Sequence, residues 1–276
     1  MCSMAHIVGY AVSLWMVFQI AGAVALGIGA TWLSHYRHGD WRVQPDIGAW
    51  VFLSALAGAR IAYVLQNGRP LREALNLFTV GYVASGGIVA VLLVTILYAQ
   101  FRGAGFVRLL DSLAPFAALN EMFGHVGCFM AGCCFGTVTN SFPGVTFPFE
   151  SHAYYFHLRQ GWIEPDAITS LPIHPVQLYN AAISLLLYAL LLSIALRNPR
   201  PGVLVLLFLF CHGLQRFVIQ FFRGNHVPYV LGLRLPQFTA LIPCVVVAVL
   251  AALLLFLNHR NALCKSEREQ KGNSRC

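Results

Sequence analysis

Charge is scarce in this chain. Of 276 residues, Asp and Glu number 10 and Lys and Arg 18, so only 10% are charged against 58% hydrophobic. A soluble domain of this length carries a far more polar surface, so a water-exposed globular fold is excluded. No Lys or Arg precedes the first apolar stretch, and that stretch is long, which argues against a secretory signal and for a retained span. No internal repeat is visible, so the repeat symmetry of many transporters is missing. No nucleic-acid motif accompanies the net charge of +8, which suits anionic lipid headgroups better. Cysteines are not paired for metal: Cys128, Cys133 and Cys134 form a Cys-x4-Cys-Cys cluster with no matching second pair.

Long apolar runs are present instead. A membrane helix needs about 20 mostly apolar residues. Six segments meet this, at Tyr10–Trp32, Ile47–Leu65, Thr79–Phe101, Val176–Ala195, Val203–Phe222 and Pro236–Leu257. A seventh, Leu109–Phe135, is apolar but interrupted by Asp111, Pro115, Asn120, Glu121 and His125. The pattern predicts an all-α polytopic membrane protein of about seven transmembrane helices. With the N-terminus outside and the C-terminus cytoplasmic, eleven basic residues fall inside and five outside, as the positive-inside rule requires. One transmembrane domain is expected over 1–258 and a basic cytoplasmic tail over 259–276. The long extracytoplasmic loop, 137–173, holds Phe142, Phe147, Phe149, Tyr154, Tyr155, Phe156 and Trp162. It reads equally as an arm at headgroup level and as a loop with its own small core.

Two arginines lie inside apolar spans, Arg60 and Arg216. A guanidinium near the bilayer centre costs about 2.5–3.5 kcal/mol on insertion scales, so it implies a partner or a task. His212, Arg216 and Gln220 recur at i, i+4, i+8, with Arg223 a turn further, and so share a helical face. His212 alone reads first as a residue that locks helices together; Arg216 reads as functional. Glu121, His125 and Cys128 share a face of the interrupted span, and Glu121 is expected to be a counter-ion for Arg60 or Arg216. Gly124, Cys128, Gly132 and Gly136 recur every four residues, a spacing that admits a close helix neighbour and also accounts for the cysteines as packing residues. Ser85-Gly86-Gly87 is either exposed backbone with an unusual turn or simple helix packing. With this topology the polar residues of four spans fall in one outer layer.

In order along the chain stand Gly58-Ala-Arg60-Ile-Ala-Tyr63, Ser85-Gly-Gly, Gly124-His-Val-Gly-Cys-Phe-Met-Ala-Gly-Cys-Cys-Phe-Gly136, His174-Pro-Val-Gln-Leu-Tyr179 and Arg216-Phe-Val-Ile-Gln-Phe-Phe-Arg223. Over residues 45–240 this resembles the prolipoprotein diacylglyceryl transferase family. The resemblance implies a seven-span enzyme of the bacterial cytoplasmic (inner) membrane. Its members move diacylglyceryl from phosphatidylglycerol to the lipobox cysteine of a preprolipoprotein, the first step of lipoprotein maturation. It implies no cofactor and no metal. Arg60 matches the family's Gly-Gly-Arg position and Arg216 its essential arginine. Gly136 closes the signature, and Gln177 and Tyr179 match the Pro-x-Gln-Leu-Tyr element. The departures are Ser85 for a histidine, His125 for the signature arginine, Cys128 for Asn, Cys133 for Glu, Gln220 for a glutamate and Asn180 for an acid.

On this reading Arg60 and Arg216 grip the lipid phosphate and Arg223 guides it from the outer face. Arginine suits that task because its planar fork binds phosphate through two bonds and stays charged. A thiol of pKa about 8.5 reacts as thiolate, so a base is needed. His125 is the first candidate and His212 the second. Tyr63, Ser85, Gly86, Gly87, Glu121, Gly136, Gln177, Tyr179 and Gln220 complete the expected substrate site. The rival readings are a non-catalytic phospholipid-binding relative and a thiol or metal protein built on the three clustered cysteines.

Overall fold

The computed structural model describes residues 4–7, 10–76, 81–224, 232–234, 236–250 and 252. The tail 259–276, the start of the predicted third span and the end of the last lie outside the described residues. The long elements are helices: α1 Leu14–His38, α2 Asp46–Gln66, α3 Ala84–Arg102, α4 Phe106–Met130, the short α5 His152–Arg159, α6 Val176–Ala195 and α7 Val203–Ile219. A further apolar helix, α8, covers Pro236–Leu250. An antiparallel pair, β1 Met4–Ile7 and β2 Tyr10–Ser13, precedes α1. The first predicted span therefore begins four residues late, with Tyr10 to Ser13 paired to a strand rather than coiled. Five helices, α1, α2, α3, α6 and α7 with its last turn, are long and apolar enough to cross a membrane.

The interrupted fourth span is helical without a break from Phe106 to Met130. Pro115 sits within it, and the polar residues add side chains to its faces without breaking it. The period-four run of small residues does not hold as a helical stripe, because α4 ends at Met130, and Gly132 takes a left-handed φ of 64° just beyond it. The close approach is made instead by Gly124 and Gly127, which face Gln19, Trp15 and Phe18 of α1. With no hydrophobic drive between helices in lipid, such small-residue contacts let backbones come together. Gly58 and Gly86 do the same for α2 and α3: a Cβ on either would overlap the carbonyl of the other.

Side-chain packing is concentrated at one end of the bundle. Leu33, Ile47, Tyr98, Leu109, Leu113, Leu191 and Leu204 form a continuous core. They come from the C-terminal halves of α1, α3 and α6 and the N-terminal halves of α2, α4 and α7. At this closed end the buried Asp111 carboxylate accepts hydrogen bonds from the backbone N–H of Gly202 (2.7 Å) and Val205 (3.0 Å). It thereby caps α7, whose first turn leaves N–H groups unsatisfied. Arg37 Nη1 lies 3.7 Å from the same carboxylate, and Nη2 donates to the Pro199 carbonyl at 2.9 Å. Side chains of α1 and α4 thus fix the start of α7.

Loop 137–173 packs a small core against the end of α4: Phe147, Ala153 and Ile173 with Phe135, and Phe129 and Phe156 against them. Ser151 caps α5 by accepting from the Tyr154 N–H at 3.1 Å. The remaining aromatics divide. Tyr154 is buried, while Phe142 is 98% exposed and Phe149 and Trp162 also face outward. The buried His157 accepts the Leu171 N–H at Nδ1 (3.1 Å), and burial pushes its pKa below the ordinary histidine value.

Asp111→Ala leaves the Arg37 charge buried without its partner, which costs about 3–5 kcal/mol; the expected readout is a large fall in the thermal unfolding midpoint in detergent, and an unchanged midpoint contradicts the clamp. His157 binds a proton less readily folded than unfolded, so its contribution is complete above about pH 6.5 and is lost as pH falls below it. Hydrogen exchange at the Leu171 amide, corrected for the intrinsic pH dependence, should accelerate through that window; constant protection from pH 8 to about 5 contradicts the assignment.

Candidate active site

The polar residues gather at the other end. The C-terminal halves of α2, α4 and α7 and the N-terminal ends of α3 and α6 meet there, as antiparallel packing dictates. Three short backbone segments hold the end together. The N–H of Gly136 donates to the His174 carbonyl at 3.1 Å, that of His174 to Thr137 at 3.0 Å, and that of Thr137 to Phe222 at 2.8 Å. Gly136 also pairs with Arg223. A side chain at Gly136 would collide with the His174 carbonyl and Val176, so the residue that closes the signature is a glycine for steric reasons. Gln177, fully buried, donates Nε2 to the Cys133 carbonyl at 2.7 Å. Tyr179 Oη lies 3.2 Å from His174 Nδ1, and its ring meets Phe222 edge-on. The motifs of α4, α6 and α7 are therefore joined directly.

Glu121 lies where α4 faces α7. Its carboxylate is 2.9 Å from His212 Nδ1 and 3.6 Å from His125 Nε2. The expected arginine counter-ion is thus replaced by two imidazoles: His212 is the residue of α7 that faces Glu121, and His125 lies one turn along α4. The His212–Glu121 hydrogen bond orients the His212 ring, and Glu121 sets a carboxylate near Nε2 of His125 without bonding to it. His125 Nδ1 is buried with no hydrogen-bond partner among the described residues.

The two span arginines stand in unlike surroundings. Arg60 is 1% exposed. Its Nη1 donates to the Gly81 carbonyl (3.0 Å) and its Nη2 to that of Glu73 (3.2 Å), with the rings of Tyr63 and Tyr82 5.5 and 5.9 Å away. It ties the α2–α3 connection to the bundle. Arg216 is exposed on α7, and no acid or carbonyl pairs with it among the described residues. Arg223 donates from Nη1 to the Cys134 carbonyl at 3.3 Å. Gln220 is buried, and its carbonyl accepts from Arg234 Nη1 at 3.0 Å. Arg234 also donates to the Arg223 carbonyl.

Ser85 is exposed in the first turn of α3, with Gly86 and Gly87 against α2 in the packing role, not in an unusual turn. A cavity of about 440 Å³ opens among α1, α2, α3 and α4. Its wall is apolar except for Gln19, Asn120, Tyr82 and Trp15. Sequence patterning singled out none of those four for the site, and a lone polar residue in a span carries no such signal. It likewise passed over Gln215, which donates Nε2 to Asn180 Oδ1 (3.1 Å) and Ser184 Oγ (3.0 Å) and so fastens α7 to α6.

The cysteines that patterning treated as packing come together: the thiols of Cys128, Cys133 and Cys134 all lie within 4.8 Å of one another. Cys133 and Cys134 are past the end of α4, where a helical period has no force, and Cys134 has a left-handed φ of 58°.

Known proteins place this arrangement. The family model described as prolipoprotein diacylglyceryl transferase matches residues 3–255. A Salmonella arizonae protein named phosphatidylglycerol–prolipoprotein diacylglyceryl transferase is 31% identical over 230 residues, covering 79% of this chain and 75% of its own length. One of the same name from Azotobacter vinelandii is 30% identical over 211 residues, covering 72% and 73%. Another from Clostridium tetani is 26% identical over 197 residues, covering 70% and 74%. With its joined signature segments and a match over nearly its whole length, this chain belongs to the prolipoprotein diacylglyceryl transferase family.

Proposed function

We propose that this chain transfers the diacylglyceryl group of phosphatidylglycerol to the lipobox cysteine thiol of a preprolipoprotein, in the cytoplasmic membrane of a bacterium. The observation that carries the reading is Arg216: an exposed guanidinium, unpaired among the described residues, one helical turn from the His212–Glu121 pair at the polar end of an apolar bundle. A cation left in that position calls for an anion, and a lipid phosphate supplies one. Family membership supplies the chemistry.

The topology goes with this reading. Helices α1, α2, α3, α4, α6, α7 and α8 make seven spans, with the N-terminus outside, 137–173 as an extracytoplasmic arm and 259–276 as a cytoplasmic tail after a single transmembrane domain, 1–258. The excess of basic residues on the inner segments supports that orientation. The site then faces the outer leaflet.

In the reaction the thiol sulfur attacks the glycerol carbon that bears the phosphate. A C–S bond forms, the C–O bond breaks, and glycerol phosphate leaves with the bonding pair. Arg216 neutralises the charge that builds on the departing phosphate, the kind of fixed electrostatic stabilisation that lowers such barriers. Arg223 draws the headgroup in from the aqueous side. Arg60, with two donors given to backbone carbonyls, holds the segment around Gly81 and Tyr82 and adds positive field. His125 accepts the thiol proton at Nδ1 with Glu121 behind Nε2, and His212 steadies the other carboxylate oxygen. The acyl chains lie along the apolar wall shared by α1, α2 and α3. Tyr63, Ser85, Gly86, Gly87, Gly136, Gln177, Tyr179 and Gln220 shape the pocket.

The test is transfer from phosphatidylglycerol to a lipobox peptide in detergent. Arg216→Ala should lower kcat about 100- to 1,000-fold, and near-normal turnover would falsify the phosphate role. Lipid that co-purifies with wild-type protein that transfers nothing identifies a phospholipid-binding relative instead. His125→Ala should lose most of the rate, about 100-fold or more, while still binding phosphatidylglycerol. A variant that keeps near-normal turnover removes His125 as the base.

A further inference from the structure

The Cys128, Cys133 and Cys134 thiols have no part in the transfer just described. We propose that they form a three-thiolate site for a thiophilic divalent metal ion of the zinc class.

The geometry suits a metal for all three thiols at once, and rules a disulfide out for the neighbouring pair. Metal–sulfur bonds of about 2.3 Å set thiolates about 3.8–4.0 Å apart in a tetrahedral or trigonal arrangement. All three sulfurs lie within 4.8 Å of one another, so closure needs a shift of under about 1 Å. A disulfide needs its sulfurs at about 2.05 Å and its Cα atoms more than about 4.4 Å apart. Cys133 and Cys134 are neighbours in the chain, with Cα atoms only about 3.8 Å apart, so that pair is unsuited to one.

The surroundings fit an ion as well. Three thiolates and a divalent cation leave one negative charge, and Arg223 lies beside Cys134, bonded to its carbonyl. The turn that presents the sulfurs is held by its neighbours: Gln177 grips the Cys133 carbonyl, and the Cys133 N–H donates to the Cys128 carbonyl at 3.1 Å. Cys134 keeps a left-handed backbone that a side chain ordinarily avoids. The three cysteines are partly buried. Binding releases the three thiol protons to solvent, and a three-sulfur set leaves a fourth position open.

The full chain, reduced and stripped of metal under anaerobic conditions in detergent, is titrated with Co²⁺. A near-ultraviolet sulfur-to-cobalt charge-transfer band should grow to saturation at a single equivalent and vanish when Zn²⁺ is added. Cys133→Ser should lose the band, whereas Cys211→Ser and Cys244→Ser should keep it. A second measurement needs no variant: Zn²⁺ should slow alkylation of Cys128, Cys133 and Cys134 by about tenfold or more relative to Cys211, mapped by mass spectrometry. Cobalt bound without the band, alkylation indifferent to zinc, or a disulfide within the trio in freshly solubilised membranes overturns the assignment.

Discussion

Inside a bilayer no water is present to satisfy a polar group, and this constraint organises the whole structure. The chain meets it by dividing the bundle. At one end the Asp111 carboxylate takes two N–H groups of α7 and lies against Arg37, which also holds the Pro199 carbonyl. Leucines and small residues fill the space around that clamp. At the other end the matching is incomplete. Arg216 is left open, and His125 Nδ1, Gln220 Nε2 and Gln177 Oε1 are buried without hydrogen-bond partners among the described residues. Unmet polar capacity in an otherwise apolar bundle is what a polar substrate can use.

The two ends depend on each other. α7 is fastened at its start by Asp111, along its length by Gln215 to Asn180 and Ser184, and at its end by Arg223 and Arg234. Its register therefore decides that His212 meets Glu121 and that Arg216 does not. The α2–α3 hairpin is a separate unit of packing, closed by Gly58 on Gly86 and tied by Arg60 to the Gly81 carbonyl. Between this hairpin and the α1–α4 pair lies the apolar cavity. Gln19, Asn120, Tyr82 and Trp15 are the polar side chains on its otherwise apolar wall.

The arrangement also explains the roles of the glycines. Gly58 and Gly86 remove bulk where two helices touch, whereas Gly136 removes it where a loop strand runs between His174 and Arg223. The same residue type serves helix packing in one place and assembly of the signature in another.

Much of this was legible in the sequence. Hydropathy alone located the five long apolar helices to within about six residues, because burial in lipid demands about 20 apolar residues whatever their neighbours. The Arg216 stretch and the Gly124–Gly136 signature identified the family, and periodicity put Glu121, His125 and Cys128 on one face. Pairing across the bundle was not legible. Which partner Glu121 meets, why Arg60 is enclosed by carbonyls, and that α4 ends at Met130 so that three thiols converge all depend on helix rotation and loop geometry. Those are set by small-residue contacts and carbonyl positions in three dimensions, which a one-dimensional pattern of polar and apolar residues does not encode.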